Sequence, residues 1–217
     1  MEKAASIVAK GITAGIDFIK SGASELSISF EIEKAIKQNG GESVPFCLVL
    51  SGSNSALPHG EPSNRKVGRK DVVLIDVGAV YKGYYADVTR TVFVGEPTEI
   101  QRKVYEIVFK AQQSAIKTVK PGIEAEEVDR TARKIIEDAR HGRYFTHRTG
   151  HGLGLEVHEE PYIAPGNKTV LEPGMAFTIE PWIHLDGKFG VRIEDDIFVS
   201  TTKGKLLSDF PKDLLVI

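Results

Sequence analysis

The sequence predicts an α+β fold, and three observations carry that reading. Apolar residues at helical spacing occur in two pairs of segments, one pair in each half of the chain. Each pair is followed by apolar runs of strand character that fold back on themselves and carry acids. The second set of segments echoes the first, so one arrangement is built twice.

From Lys3 to Lys20, the residues Ile7, Val8, Ile12, Ile16, Phe18 and Ile19 follow a helical period, and Ser21-Gly22 ends the run. Ser24 opens a second amphipathic helix through Leu26, Ile28, Phe30, Ile32 and Ile36, which stops at Asn39-Gly40-Gly41. Pro45 to Leu50 reads as a strand and SGSNSALPHG as a loop. Val72 to Val94 reads as a hairpin turning at Tyr81, Lys82 and Gly83. Pro97 starts a third helix through Ile100, Val104, Ile107, Val108, Ala111, Ala115 and Val119, halted by Pro121-Gly122. IKSGASEL at 19–26 is then echoed by VKPGIEAE at 119–126, and Ile36 by Ile136. His59-Gly60 precedes the first hairpin as His151-Gly152 precedes a second apolar pair, Met175 to Ile179 and Val191 to Val199, whose midpoint falls in the turn signal Asp186-Gly187. Residues 1–217 are therefore expected to form a single domain of two halves, about 1–95 and 96–217, packed around a pseudo-twofold axis.

The acids within these hairpins carry the chemistry. Asp76 ends the first apolar run, and Asp87 lies in its return between Ala86 and Val88. A turn at the midpoint of positions 76 and 87 opposes them directly, with Cβ atoms about 4.5–5.5 Å apart. Glu180 and Glu194 hold the equivalent places in the second pair, about Gly187. Like charges so placed repel, so either water solvates this face, or one acid is protonated, or a cation sits between them. Four carboxylates at one centre carry a charge of about −4, which two divalent cations cancel. With His151 as its single nitrogen donor, such a site suits Mn²⁺, Co²⁺ or Fe²⁺ better than a thiolate or multi-histidine zinc site. Two metals about 3.5–4 Å apart hold a bridging hydroxide, the nucleophile of metal-assisted hydrolysis, so a hydrolase is the leading class.

Composition narrows the alternatives. A hydrophobic content of 41% supports a sizeable core, and 28 basic against 30 acidic residues leave a net charge of −2 without a single-sign run. Nothing in this points to nucleic acid or an anionic membrane as partner. No charged start leads into an apolar signal region, and no apolar stretch approaches the ~20 residues of a membrane span. The single cysteine, Cys47 in PFCLVL, reads as a buried structural thiol, for which a reducing cytoplasm fits. A serine hydrolase is disfavoured, because no G-x-S-x-G turn occurs.

The segments LIDVGAVYKGYYADVTRT, THRTGHGLGLEVHEEP, EPGMAFTIEPW and GVRIEDDIFV resemble the metal-binding motifs of the pita-bread metallopeptidases, the methionine aminopeptidase and creatinase-like family. Within it they resemble the Xaa-Pro branch of prolidase and aminopeptidase P. The resemblance implies a pita-bread fold, with a curved antiparallel sheet covered by helices. It implies five metal ligands: Asp76 on one metal, Asp87 and Glu194 bridging the pair, His151 and Glu180 completing the other. The metals it implies are two Mn²⁺ or Co²⁺ ions, with Fe²⁺ or Zn²⁺ as alternatives. The family's accessory histidines fall on His59, His147 and His158, which would stabilise the intermediate, assist proton transfer and line the proline pocket. Arg192 matches the arginine of the RIED signature. The implied substrate is a peptide with proline at the second position, cleaved before that proline.

Arg192 before Glu194 and Asp195 after it separate the chain from methionine aminopeptidases, in which a histidine would follow the last glutamate. Methionine aminopeptidase is the alternative activity, and a non-catalytic module binding peptides or proteins is the alternative of another class. Two features depart from the Xaa-Pro pattern: no separate N-terminal domain precedes the motifs, and Tyr162 stands where some prolidases carry an arginine. A second subunit could supply missing pocket wall, so a homodimer is compatible with this reading.

Further expectations concern single residues. His147 and His151 lie among Gly150, Gly152 and Gly154, which indicates a strand or loop rather than a helix. His158 is seven residues beyond His151, an odd interval, so their convergence requires a bulge or bend. Alternation places Arg192 on the face of Glu194 and turns Asp195 away; alternatively, Arg192 simply pairs with Asp195 or Asp196. His141 and His184 are expected at the surface.

Overall fold

The computed structural model describes residues 1–217 apart from Ser21, His59 and Asp209, so the role expected for His59 lies outside the described residues. Helices α1 (Glu2–Phe18) and α2 (Glu25–Gln38) lead to strand β1 (Cys47–Ser51). Strands β2 (Val72–Tyr81) and β3 (Tyr84–Phe93) form the first hairpin, followed by helices α3 (Glu99–Thr118) and α4 (Ala125–Asp138). The second half continues through β4 (Gly150–Gly152), β5 (Glu159–Ile163), β6 (Ala176–Ile179), β7 (Trp182–Leu185), β8 (Phe189–Arg192) and β9 (Asp195–Val199). Short strands β10 (Gly204–Leu206) and β11 (Leu215–Val216) close the chain. Within the segment expected as a loop, Gly52–Ala56 forms a 3₁₀ turn, closed by the Ser55 hydroxyl donating to the Gly52 carbonyl at 2.6 Å.

The strands assemble as a four-stranded sheet ordered β1-β2-β3-β11, a five-stranded sheet ordered β10-β9-β6-β4-β5, and a β7-β8 ribbon. Helices α1 and α2 lie on the first sheet and bury Ile7, Ile12, Ile28 and Ile32 with Val73, Ile75, Val77 and Val88. Because side chains alternate along a strand, a β2 that gives Val73, Ile75 and Val77 to this core sends Asp76 to its other face. Helices α3 and α4 and the second sheet make the other core, with Val104, Val108, Val128, Ile136, Phe177 and Ile197.

The repeat read from the sequence is present in the backbone. Gly22 and Gly122 both adopt positive φ, 92° and 88°, a conformation glycine enters without a Cβ penalty. Their N–H groups donate to equivalent carbonyls, those of Val67 and Leu171; Glu25 and Ala125 likewise donate to Arg65 and Thr169.

One register departs from expectation. The first hairpin turns at Lys82-Gly83, with φ of 52° and 77°, and pairs Asp76 with Thr89 and Gly78 with Asp87. Asp76 and Asp87 are therefore diagonal neighbours on one face rather than directly opposed. The cause lies in the turn: a two-residue loop needs positive φ at both central positions, and centring it on Tyr81-Lys82 would force that on a bulky aromatic. The second turn is at Gly187 as expected, with φ 67°. Around it β7-β8 pairs Ile183 with Val191 and β6-β9 pairs Phe177 with Ile197. This shared register, continued through the gap between the ribbons, opposes Glu180 and Glu194. Pro181 cannot donate to a ladder, and at the break Glu180 donates its N–H to Thr149 and Glu194 donates to Thr89.

His184 is also corrected: it is buried, because every residue of β7 is, and its ring stacks on Trp182 at 4.5 Å. Its Nδ1 lies 2.9 Å from Asp186. Among the described residues, no helix is long and apolar enough to cross a membrane.

Candidate metal centre

Strand β3, strand β4 and the break before β9 deliver Asp87, His151 and Glu194 to one place, where each presents a ligand atom within 4.8 Å of the others, all buried. His151 Nε2 lies 3.7 Å from Asp87 Oδ2 and 3.5 Å from Glu180 Oε1, which brings Glu180 to the same centre. The His151 Nδ1 is 3.0 Å from the Gly152 carbonyl; donation there leaves the Nε2 lone pair directed at the acids. Both neighbours of His151 are glycine for a steric reason. A Cβ on Gly150 would meet the Thr178 carbonyl at 1.9 Å, and one on Gly152 the Glu159 carbonyl at 2.4 Å.

Asp76 stands beside this group, its Oδ2 held by Arg192 Nη2. The Arg192 Nε donates to Thr89 Oγ1 at 3.1 Å, and that hydroxyl donates to Glu194 Oε2 at 2.5 Å. Arg192 thus faces the acids as alternation predicts and pairs with neither Asp195 nor Asp196. Arg192→Lys keeps the charge but loses the planar fork that serves Asp76 and Thr89 together. Its expected effect is a fall in kcat/KM of roughly tenfold or more with an unchanged melting curve; unaltered kinetics would remove Arg192 from the site.

Asp76 Oδ1, Asp87 Oδ1 and Glu194 Oε1 are buried without a hydrogen-bond partner. Each such oxygen costs about 1–3 kcal/mol or more. Three of them on residues that line one cavity with the His151 imidazole fit hard divalent cations, which take oxygen donors.

The charges agree. Burial, then the Glu194, Asp76, Asp196 and Glu180 charges, hold the Asp87 carboxyl well above the usual range. Glu194 is raised by burial and by Glu180 and Asp76, while burial pushes Glu180 up to about 7 against the downward pull of Arg192. Burial also takes His147 and His151 down to about 3. An acid raised in the folded state stabilises the fold below its unfolded pKa, and that stability is lost as pH rises through the folded value. A depressed histidine has the opposite sign, but from pH 6.5 upward only about half of its unfolded-state proton remains to be lost, a smaller effect than that of the three raised acids. Chelator-treated protein should therefore melt at a lower temperature at pH 8 than at pH 6.5, and saturating Mn²⁺ should abolish the slope. A flat profile in the stripped protein would contradict this account.

The model of metallopeptidase family M24 matches residues 1–201. The chain belongs to this family. It is 44% identical over 216 residues to the Xaa-Pro dipeptidase of Pyrococcus furiosus, covering 99% of this chain and 62% of that protein. Among solved structures, a recombinant prolidase from Thermococcus sibiricus is 52% identical at a TM-score of 0.97, covering 100% of this chain and 59% of that one. The X-Pro aminopeptidase of Thermotoga maritima is 39% identical at a TM-score of 0.96, covering 100% and 61%. The α+β architecture is thus the pita-bread fold. The chain spans about three fifths of these relatives' lengths. Membership of this metallopeptidase family implies divalent metal, and Asp87, His151 and Glu194 form a group that could hold one.

All five expected ligands line one cavity of about 600 Å³, together with His147, His158, Arg148, Trp182 and Arg192. The register of β4 against β5 shifts between Gly150 and Gly152, and the bend beyond brings the exposed His158 ring to 4.2 Å from that of His151. His147 sits in the loop before β4, its Nδ1 2.5 Å from the Arg148 carbonyl and its buried Nε2 without a partner.

Sequence reasoning missed the residues that hold this loop. Asp129 on α4 accepts from the Thr149 N–H at 3.2 Å and its hydroxyl at 2.7 Å. Arg133, paired with Asp129 at 2.9 Å, donates at 3.0 Å to the carbonyls of Phe145 and His147. On the helix these two are an ordinary i,i+4 ion pair, with no signal that the pair is turned inward.

Proposed function

We propose that this chain is a dinuclear metal-dependent peptidase that hydrolyses the peptide bond before proline in Xaa-Pro substrates. The observation that carries the reading is that Asp76, Asp87 and Glu194, each with a buried carboxylate oxygen that has no partner, line one cavity with His151 and Glu180. Its 44% identity to an Xaa-Pro dipeptidase supports the substrate class. Asp76, Asp87, His151, Glu180 and Glu194 would hold the cations. Bound Mn²⁺ or Co²⁺ would supply Lewis acidity and an activated water.

The remaining work falls to the chain. Thr89 and Arg192 fix one oxygen of Glu194 and one of Asp76, leaving their unpartnered oxygens for the cations. His147, neutral because buried, holds an uncommitted Nε2 for a hydrogen bond with substrate. His158, exposed beside His151, can exchange a proton with solvent. Trp182 lines the same cavity beside His147, with ring centroids 5.6 Å apart, and adds an apolar edge on which a proline ring can rest. The buried, unpaired thiol of Cys47, pushed up to about 12 by burial, suits a reducing cytoplasm.

Parallel assays of an Xaa-Pro dipeptide, a longer Xaa-Pro peptide and a peptide with N-terminal methionine, each with Mn²⁺, test the proposal. Both proline substrates, or one of them, should exceed the methionyl peptide by roughly 100-fold in kcat/KM. Equal or faster release of methionine would overturn it.

A further inference from the structure

We propose that Glu25 is a positioning residue for substrate binding, its buried carboxylate clasping both ends of the 51–63 segment and so holding one wall of the metal cavity in place. The inference rests on the Xaa-Pro reading above only for the substrate it names.

Glu25 is the first residue of α2 and is fully buried. An acid in that position is costly unless donors surround both of its oxygens. Its Oε1 accepts from the Ser51 N–H at 2.6 Å and the Ser51 hydroxyl at 2.8 Å. Its Oε2 accepts from the Ser63 N–H at 3.1 Å and the Ser63 hydroxyl at 2.7 Å. The Asn54 amide donates to both oxygens, at 3.1 and 3.2 Å. Each oxygen thus holds one end of the segment, and the carboxylate closes its neck. The helix itself does not require this acid. Ser24 already caps α2, and the sequence repeat puts Ala125, also buried, at the equivalent place on α4. Glu25 is therefore a departure from the repeat that serves the segment rather than the helix.

Between its two ends the segment meets the site twice. Pro58 lines the cavity. The 3₁₀ turn Gly52–Ala56 seats on β8, where the fully buried Ser55 hydroxyl accepts from the Gly190 N–H at 2.9 Å. The approach is so close that a Cβ on Gly190 would lie 2.2 Å from the Ser55 carbonyl oxygen and 2.6 Å from Trp182 Nε1. Trp182 pairs with Arg192 across β7-β8, and both line the cavity. Opening the neck would free Pro58 and the Trp182 wall together. Asp87, His151 and Glu194 lie on other elements, which Glu25 does not touch, so the loss falls on substrate binding and spares the metal group.

Glu25→Gln keeps the shape but turns an amide NH₂ toward the backbone N–H of Ser51 or Ser63, which cannot reorient, so one end comes free. In the Mn²⁺-loaded variant, KM for Ala-Pro should rise roughly tenfold, with kcat within about threefold of the wild type and the metal content unchanged. Trp182 is the sole tryptophan of the chain and reports the wall directly. Its emission should move to longer wavelength and be quenched more readily by acrylamide, as water reaches the loosened indole. Asn54→Ala combined with Ser63→Ala removes donors from the segment and leaves Glu25 its backbone partners. That variant should shift KM and emission in the same direction, and it carries the test if Glu25→Gln does not fold. A folded variant with wild-type KM, whatever its melting temperature, would make Glu25 purely structural and overturn the proposal. If the wild type cleaves no Xaa-Pro peptide, the substrate reading fails by itself. Trp182 emission then decides whether Glu25 holds the wall, and an unchanged spectrum in both variants overturns it.

Discussion

Stripping the protein with a chelator should abolish peptidase activity, and adding Mn²⁺ or Co²⁺ should restore it. Asp87→Ala or Glu194→Ala should abolish it beyond rescue, with kcat/KM lower by roughly 1000-fold or more. Each change removes a buried acid whose oxygen has no protein partner and which is held above its ordinary pKa by its neighbours. In metal-free protein the same substitutions relieve like-charge repulsion, so the stripped variants should melt no lower than the stripped wild type while losing the metal-induced rise. Metal content and melting curves with and without Mn²⁺ check this. A variant that still binds two metals with wild-type affinity would remove that residue from the ligand set, and full activity of metal-free protein would remove the metal altogether.

Arg90→Met should destabilise the fold by about 3–5 kcal/mol, the usual cost of leaving one charge of a buried pair behind. Arg90 and Asp195, both buried, meet at 2.8 Å. Arg90 also donates to the Thr89 and Glu194 carbonyls at 2.8 and 2.6 Å, and to those of Pro211 and Phe210 at 2.9 Å. One side chain thus ties β3, the strand break beside the centre and the C-terminal segment together. Asp195 has further donors in Ser208 at 2.5 Å and Gln112 at 2.6 Å. The melting temperature should fall by roughly 10 °C, at about 2–4 °C per kcal/mol for a chain of this size. Replacing both partners, Arg90→Met with Asp195→Leu, should recover part of the loss, because the fully buried carboxylate is then removed together with its guanidinium and only the more exposed Lys212, 3.3 Å from Asp195, loses a partner. A single variant that melts like the wild type would show that this network does not secure the fold.

Much of the molecule was legible in local pattern. The periods of α1 to α3, the echo that marks α4, the glycine stops at Gly22 and Gly122, and the turn at Gly187 are features the sequence displays directly. The acids and His151 stood out because charged and imidazole side chains interrupt apolar runs, and the repeat showed that the interruption occurs twice. Alternation alone placed Asp76 and Asp87 on one face, although their offset by two positions followed from the φ demands of Lys82-Gly83.

Choices of partner between distant residues belonged to the tertiary structure. The Arg192 guanidinium takes Asp76, 116 positions away, rather than Asp195 nearby, because β7-β8 folds over β2 while Arg90 already holds Asp195. Asp129 and Arg133 look like solvent-facing charges until α4 lies against the His147 loop, and His184 looks like a surface residue until both faces of β7 are covered. Which residues share a face is a local consequence of backbone geometry. Which polar groups meet across faces is decided by packing, where each buried donor and acceptor must find whatever partner the assembled fold brings within reach.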